Sequence, residues 1–343
     1  MAVALCTARA TELLGTRPEE INVLLSANIL KNAMGVGIPG TGMIGLPIAV
    51  ALGALIGKSE YQLEVIKDLT PKSLEEGKKY ICENRINIGL KPGKCDKLYI
   101  EVTCSAHGSR DKATAIIART HTHFIYEALN DKVTLDNRSG GSESSTGDDV
   151  RLNMKMVWDF AMNMPADKLR FFLNVRDVNM RAAAESLKGN YGHSLGKTLS
   201  RPLGKGIMGD SIFSHILSAT SSACDARMAG ASIPVMSNSG SGNQGISCTM
   251  PVVVFAEENH NTDEELTRAL ILSHLTAIYI KQSLGKLSAL CGCVVASTGS
   301  ACGITYLMGG GYKQVAYSVK NMIANLAGMV CDGAKPACAL KVA

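Results

Sequence analysis

From Leu287 to Tyr312 the chain carries no charged residue. An uncharged stretch of that length either crosses a membrane, which takes about 20 consecutive apolar residues, or lies at the centre of a large core. Gly, Ala, Ser, Thr and Cys dominate it rather than Leu, Ile and Phe. The other uncharged stretch, Gly42 to Gly57, is too short to span, and no basic flank sets an orientation. Leu287–Tyr312 therefore reads as a buried helix that bends or breaks around its glycines, and other helices must surround it. A chain of 343 residues is long enough to build that surround.

The rest of the second half supplies the partners. Helical patterns run over Val150–Met162, Pro165–Leu187, Leu195–Leu199, Asp210–Ala226, Gly245–Glu258, Asp263–Gln282, Lys286–Leu307 and Tyr312–Val330. The first half differs. Ala2–Leu14 has helical composition, Glu20–Ser26 alternates like a strand, and Gly45–Ile56 and Tyr61–Arg85 read as helices, the latter broken near Pro71. From Ile86 to Leu135 the period shortens, with strands expected at Lys97–Thr103, Ala113–Arg119 and Phe124–Leu129 or Val133–Leu135. The polar run Asp136–Asp149 separates the halves. The expected class is α+β: a module with a small antiparallel sheet over residues 1–135, a loop over 136–149, and a mainly helical catalytic domain over 150–343.

Charge and composition exclude other classes. Lys and Arg total 35 against 30 Asp and Glu, a net +5 without a basic cluster, and aromatics are 5%. Nucleic-acid binding would need a basic patch or stacking platforms. The first residues, MAVALCTARATELLG, lack a basic segment followed by a long apolar one. Eleven cysteines, an odd number without a leader, point to a cytoplasmic chain with thiols or metal ligands rather than disulfides.

Six cysteines (Cys6, Cys82, Cys95, Cys104, Cys224, Cys248) are scattered and read as small buried apolar residues. Five crowd between Cys291 and Cys338. Cys331-Asp-Gly-Ala-Lys-Pro-Ala-Cys338 follows the buried helix and holds a Gly and a Pro between its thiols. Without a Cys-x-x-Cys pair, a zinc ribbon is disfavoured, while thiolates drawn from separate segments suit an iron–sulfur cluster. Close helix packing, with Cys standing in for Ala or Ser, remains the other reading.

The second feature is Ser237-Asn-Ser-Gly-Ser-Gly-Asn-Gln-Gly245, set before a helix. Backbone N–H groups at a helix start, with Ser and Asn side chains, can hold a carboxylate or phosphate. Ser237, Asn238, Ser239, Ser241 and Asn243 are the candidate binding residues, with Arg227 as a fork for a carboxylate; an Asp225–Arg227 pair fixing a helix terminus is the alternative. Gly35–Gly42 lacks the ending of a P-loop and the spacing of a dinucleotide fingerprint, and is a second candidate cradle. His121-Thr-His123 falls on or beside an expected strand, and His121 is a candidate base or hydrogen-bond donor. His274, inside an amphipathic helix, reads as a hydrogen-bonded core residue.

Together, Asn28-x-x-Lys-Asn32 with Val36-x-Ile-Pro-Gly-Thr-Gly42, Asp225-Ala-Arg-Met228, Ser237–Gly245 with Met250-Pro-Val-Val-Val254, Leu272-Ser-His-Leu275, Leu287-Ser-Ala-Leu-Cys291 and Cys331–Cys338 with Ala-Leu-Lys-Val342 resemble the L-cysteine desulfidase and serine dehydratase-like alpha-chain family. The match runs over nearly the whole chain in order. It implies a [4Fe–4S] cluster on Cys291, Cys331 and Cys338, and β-elimination from L-cysteine to pyruvate, ammonia and sulfide, with L-serine as the alternative substrate. The family's proposed base is a cysteine in a Cys-Thr-Glu-Pro segment before the first helix. Here Cys6-Thr7 is followed by Ala-Arg, so the base is expected before Met1 and the chain reads as truncated at both ends.

Two rivals make other predictions. A pyridoxal-phosphate dehydratase would use Lys188 in Ser186-Leu-Lys188 and a phosphate loop at Gly309–Gly311. A non-catalytic cluster-binding or amino-acid-sensing relative would bind ligand without turnover. The expected partner is a small amino acid, with no nucleic acid and no membrane, and the expected assembly is a homodimer.

Overall fold

Contacts divide the chain into two units, Met1–Asp149 and Val150–Ala343. The computed structural model describes residues 1–343 apart from 109, 140–149, 286–287, 289 and 327. Most of the expected 136–149 loop thus lies outside the described residues.

The first unit is built around α1 (Ala2–Leu14), whose residues Ala2 to Ala8 are all buried. One side of α1 packs on β3 (Tyr99–Ser105) and β4 (Lys112–Ala118), whose alternating residues Ile100, Val102, Ala115 and Ile117 face it without exposure. Each such branched side chain contributes about 1.5–3 kcal/mol on burial. The other side of α1 meets α3 (Leu46–Ile56) so closely that a Cβ on Gly53 would lie 2.6 Å from the Ala4 carbonyl oxygen. Arg9 on α1 donates to both carboxylate oxygens of the buried Glu127 on β5 (Phe124–Leu129), at 2.9 and 2.6 Å.

The sheet corrects the expectation in one respect. It has six strands in the order β2-β1-β3-β4-β5-β6, with the expected strand at β1 (Glu20–Leu25), a further one at β2 (Ile86–Leu90), and both β5 and β6 (Lys132–Asp136) where one or the other was expected. It is mixed rather than antiparallel, because β2 pairs in parallel with β1, Ile21 opposite Ile86. A parallel neighbour requires a crossover, and α2 (Ala27–Ala33), α3 and α4 (Pro71–Cys82) supply it. Between α2 and α3, Gly37 bridges Ile44 and the Thr41 hydroxyl bonds within the turn, so Gly35–Gly42 is a self-closed hairpin. His121 occupies the turn between β4 and β5, where the two-residue alternation of a strand no longer places it on one face with His123.

The second unit is helical: α5 (Met154–Asn163), α6 (Ala166–Leu169), α7 (Asn174–Lys188), α8 (Leu195–Leu199), α9 (Pro202–Met208), α10 (Ile212–Met228), α11 (Gly242–Glu258), α12 (Asp263–Leu284), α13 (Gly292–Leu307), α14 (Tyr312–Leu326) and α15 (Cys338–Val342). The uncharged stretch forms α13, which runs unbroken through its glycines. They face neighbouring helices: a Cβ on Gly299 would lie 2.3 Å from Ser273 O, and one on Gly303 2.9 Å from Ala269 O. The glycines bring α13 against α12 instead of bending it. Among the described residues no helix is long and apolar enough to cross a membrane.

Candidate functional site

The site grows from the end of α10. Cys224, Asp225 and Arg227 share its last turns, but residues two apart on a helix point to opposite sides. Asp225 Oδ2 accepts from the N–H groups of Leu195 (2.7 Å) and Gly196 (3.4 Å), capping α8, whose own Ser194 offers no side-chain cap. Burial pushes the Asp225 carboxyl up against the pull of these N–H donors. Arg227 turns the other way, so the two residues do not form the pair that fixes a helix terminus.

Arg227 Nη1 donates to Asn243 Oδ1 at 2.9 Å. Its Nε rests on Gly242, where a Cβ would come within 2.2 Å, so only glycine lets the guanidinium lie against the start of α11. Burial pushes its pKa down, while the thiols of Cys224 and Cys338 act in the opposite sense. Guanidinium remains charged. Among the described residues no carboxylate acts on it.

The Ser237–Gly245 segment is a tight turn. Asn238 and Ser241 exchange two backbone bonds of 3.0 Å, and Ser239 (φ 49°) and Gly240 (φ 80°) take the left-handed conformation between them. Ser241 caps α11 by accepting from Gln244 N at 3.3 Å. Asn238 is buried: Nδ2 donates to His274 O (3.1 Å) and faces His274 Nδ1 (3.2 Å), and Oδ1 accepts from Ser239 Oγ (2.9 Å) and Gln244 Nε2 (2.7 Å). Its amide is therefore committed to the framework. Ser237 and Ser239 are exposed, while Ser241 and Asn243 are half-buried. His274 is a bonded core residue, with Nε2 3.0 Å from Thr249 Oγ1 and burial lowering its pKa to about 4.

The cysteines close the site. A bridge between Leu290 and Val330, and a 3.0 Å bond from Cys291 N to Met329 O, tie the start of α13 to the segment carrying Cys331. Cys291 is thus the N-cap of α13, outside the helix where the sequence pattern places it. Cys338 opens α15, its Sγ 3.6 Å from Gly333 O, and α15 packs on α10. Between them Asp332 pairs with Lys335 and Lys341, both at 2.5 Å. The Cys291 thiol is held down first by the Cys293 thiol, then by the Cys293 N–H and Lys341, against burial. Cys293 correspondingly keeps its proton. Burial raises the Cys338 thiol, with Cys291 and Cys331 adding to the rise, and burial raises the Cys224 thiol, with Cys338 and Cys291 adding to it. Cys302 lies apart, its Sγ against Val315 O. Among the described residues no three Cys, His, Asp or Glu side chains converge on a point that holds one metal ion.

The structure thus gathers Cys291, Cys331 and Cys338 with Arg227 and, through it, Asn243. Cys224, Cys293 and Gln244, which sequence reasoning did not count among the site residues, lie beside them. Cys224 lies three residues before Arg227 on one helix, a spacing that shares a face; Gln244 had no signal beyond its place in the loop.

Residues 60–343 match the model of the serine dehydratase alpha chain. A UPF0597 protein of Bacteroides fragilis is 67% identical over 342 residues, covering 100% of this chain and 79% of that one. UPF0597 proteins of Porphyromonas gingivalis (52% over 348 residues, 100% and 80%) and Chromobacterium violaceum (44% over 343 residues, 100% and 79%) are similar along the same length. A match across so much of the chain, with full-length identity at these levels, is shared ancestry: the chain belongs to the serine dehydratase alpha-chain family.

Proposed function

We propose that this chain is an iron–sulfur-dependent lyase that eliminates the β-substituent of L-cysteine, turning L-cysteine and water into pyruvate, ammonia and hydrogen sulfide. One observation carries the reading: the half-buried Arg227, on which no described carboxylate acts, feels the thiols of Cys224 and Cys338, and Cys338 in turn feels those of Cys291 and Cys331. The family is generally iron–sulfur dependent.

The donor set fits a [4Fe–4S] cluster on Cys291, Cys331 and Cys338. Thiolates are its usual protein ligands. Cys291 already leans toward thiolate, and Arg227 and Lys341 offset negative charge. When bound, the cluster supplies an iron free of protein ligands as a Lewis acid for the leaving thiolate.

The chain's own residues bind and orient the substrate. Arg227 offers its fork to the substrate carboxylate, with Asn243 fixing the guanidinium and Gly242 admitting it to the start of α11. The helix N-terminus adds positive potential at the same place. Ser241 holds that turn, and Asn238 locks it to His274. Holding the carboxylate orients the Cα–H and Cβ bonds for elimination. The pyridoxal-phosphate rival fits poorly, because Lys188 is exposed at the end of α7 rather than enclosed.

Anaerobically purified protein given L-cysteine or L-serine should yield pyruvate, with sulfide from L-cysteine in equal amount. Faster turnover of L-serine would make it a serine dehydratase. Iron-loaded protein forming no pyruvate from either would overturn the lyase reading in favour of ligand binding without turnover.

A further inference from the structure

Gln244, in the first turn of α11, is 1% exposed, and its Oε1 has no hydrogen-bond partner among the described residues. Its orientation is fixed by a chain of donors and acceptors. His274 O can only accept, so Asn238 turns Nδ2 toward it. Asn238 Oδ1 then faces Gln244 and takes a bond from Nε2 at 2.7 Å. Gln244 Oε1 is left pointing at the start of α13, 3.2 Å from where a Cβ on Gly292 would sit. Gly292 directly follows Cys291. One helical turn on, Ser247 is 2% exposed and its Oγ is also without a partner among the described residues; residues three apart share a helix face.

A buried acceptor without a partner bears its full desolvation cost, so one aimed beside the thiol site calls for a donor that arrives with the ligand. We propose that Gln244 Oε1 accepts a hydrogen bond from the α-ammonium group of the amino-acid substrate, an assignment that rests on the lyase reading above. The two charges of the zwitterion would then be read within one turn of α11, the carboxylate by Arg227 over Gly242 and the ammonium by Gln244. An ammonium has three donors, and the Ser247 hydroxyl offers a second acceptor on that face. Compounds with a carboxylate but no amine would leave Oε1 unpaired, which is how a buried polar group rejects an analogue.

The test is ligand-induced stabilisation of the anaerobically purified full chain. L-serine is compared with 3-hydroxypropionate, and L-cysteine with 3-mercaptopropionate, with pyruvate measured in the same samples. Wild type should bind each amino acid at least tenfold more tightly than its des-amino analogue. Gln244→Met, with iron content and far-UV circular dichroism retained, should erase that preference. Gln244→Glu gives up the Nε2 donor but keeps an acceptor facing Gly292, so it should keep the preference. The inference falls if wild type shows no preference, if Gln244→Met keeps it, or if both variants lose it alike, which would mark a purely structural role. Pyruvate reports separately on the lyase reading: a preference that depends on Gln244, without pyruvate, would keep the ammonium site and remove the elimination.

Discussion

Cys6 and Cys104 in the N-terminal unit and Cys291 near the C-terminus are the same chemical group in opposite surroundings. Cys6 lies inside α1 against the carbonyl oxygens of Ala115 (3.2 Å) and Ile100 (3.8 Å), and burial drives its thiol far above its ordinary range. Cys104, buried on β3, is pushed up to about 12. Cys291 sits at a helix N-terminus with a thiol donor, an N–H and a lysine around it, and is held down despite being buried too. Burial alone therefore does not decide what a cysteine does. Apolar walls and carbonyl acceptors keep the proton on; a helix start and nearby cations take it off.

The largest expected effect separates these two sets. Cys331→Ser or Cys338→Ser should remove most of the iron and lower pyruvate formation more than 100-fold. Cys224→Ala and Cys293→Ala should keep more than half the iron, because these thiols neighbour the ligand set without belonging to it. Loss of iron from Cys224→Ala would extend the set to α10.

His274 belongs with Cys6, as a titratable group buried in its neutral form. Its folded pKa is about 4, below the ordinary value of about 6.5, so the unfolded chain takes up the proton first on acidification. Stability should fall as pH drops through that window, by roughly 3 kcal/mol in all, and His274→Gln should flatten the slope in urea titrations at several pH values.

On the packing side, Cys6→Ala should cost about 1–3 kcal/mol, measured by chemical denaturation, with iron content unchanged. A loss of iron from Cys6→Ala would erase the contrast. The smallest effect is expected at Asp332, whose carboxyl is held well below its usual range by Lys335 and Lys341. These pairs are exposed, so Asp332→Asn should speed cluster loss less than threefold, and added salt should mask the change.

Much of this architecture is legible in the sequence. Strand alternation at β3 and β4, helical composition at α1, and the uncharged α13 each state their own period. What the sequence withholds is tertiary. Strand β2 becomes parallel only through a crossover whose return is not coded locally. The glycines of α13 read as breaks because their partners, Ser273 O and Ala269 O, belong to another helix. At the site, the cysteine spacing and the Ser/Asn/Gly turn mark the place. Which side chains of that turn are already committed, Asn238 to the framework and Gln244 by one end only, depends on His274, some 30 residues on.

The most direct test of the account is iron and acid-labile sulfide per chain in anaerobically purified wild type beside Cys338→Ser. The account predicts about four of each in wild type and little of either in the variant. Wild type without iron under strictly anaerobic conditions, or equal iron in both proteins, would contradict it.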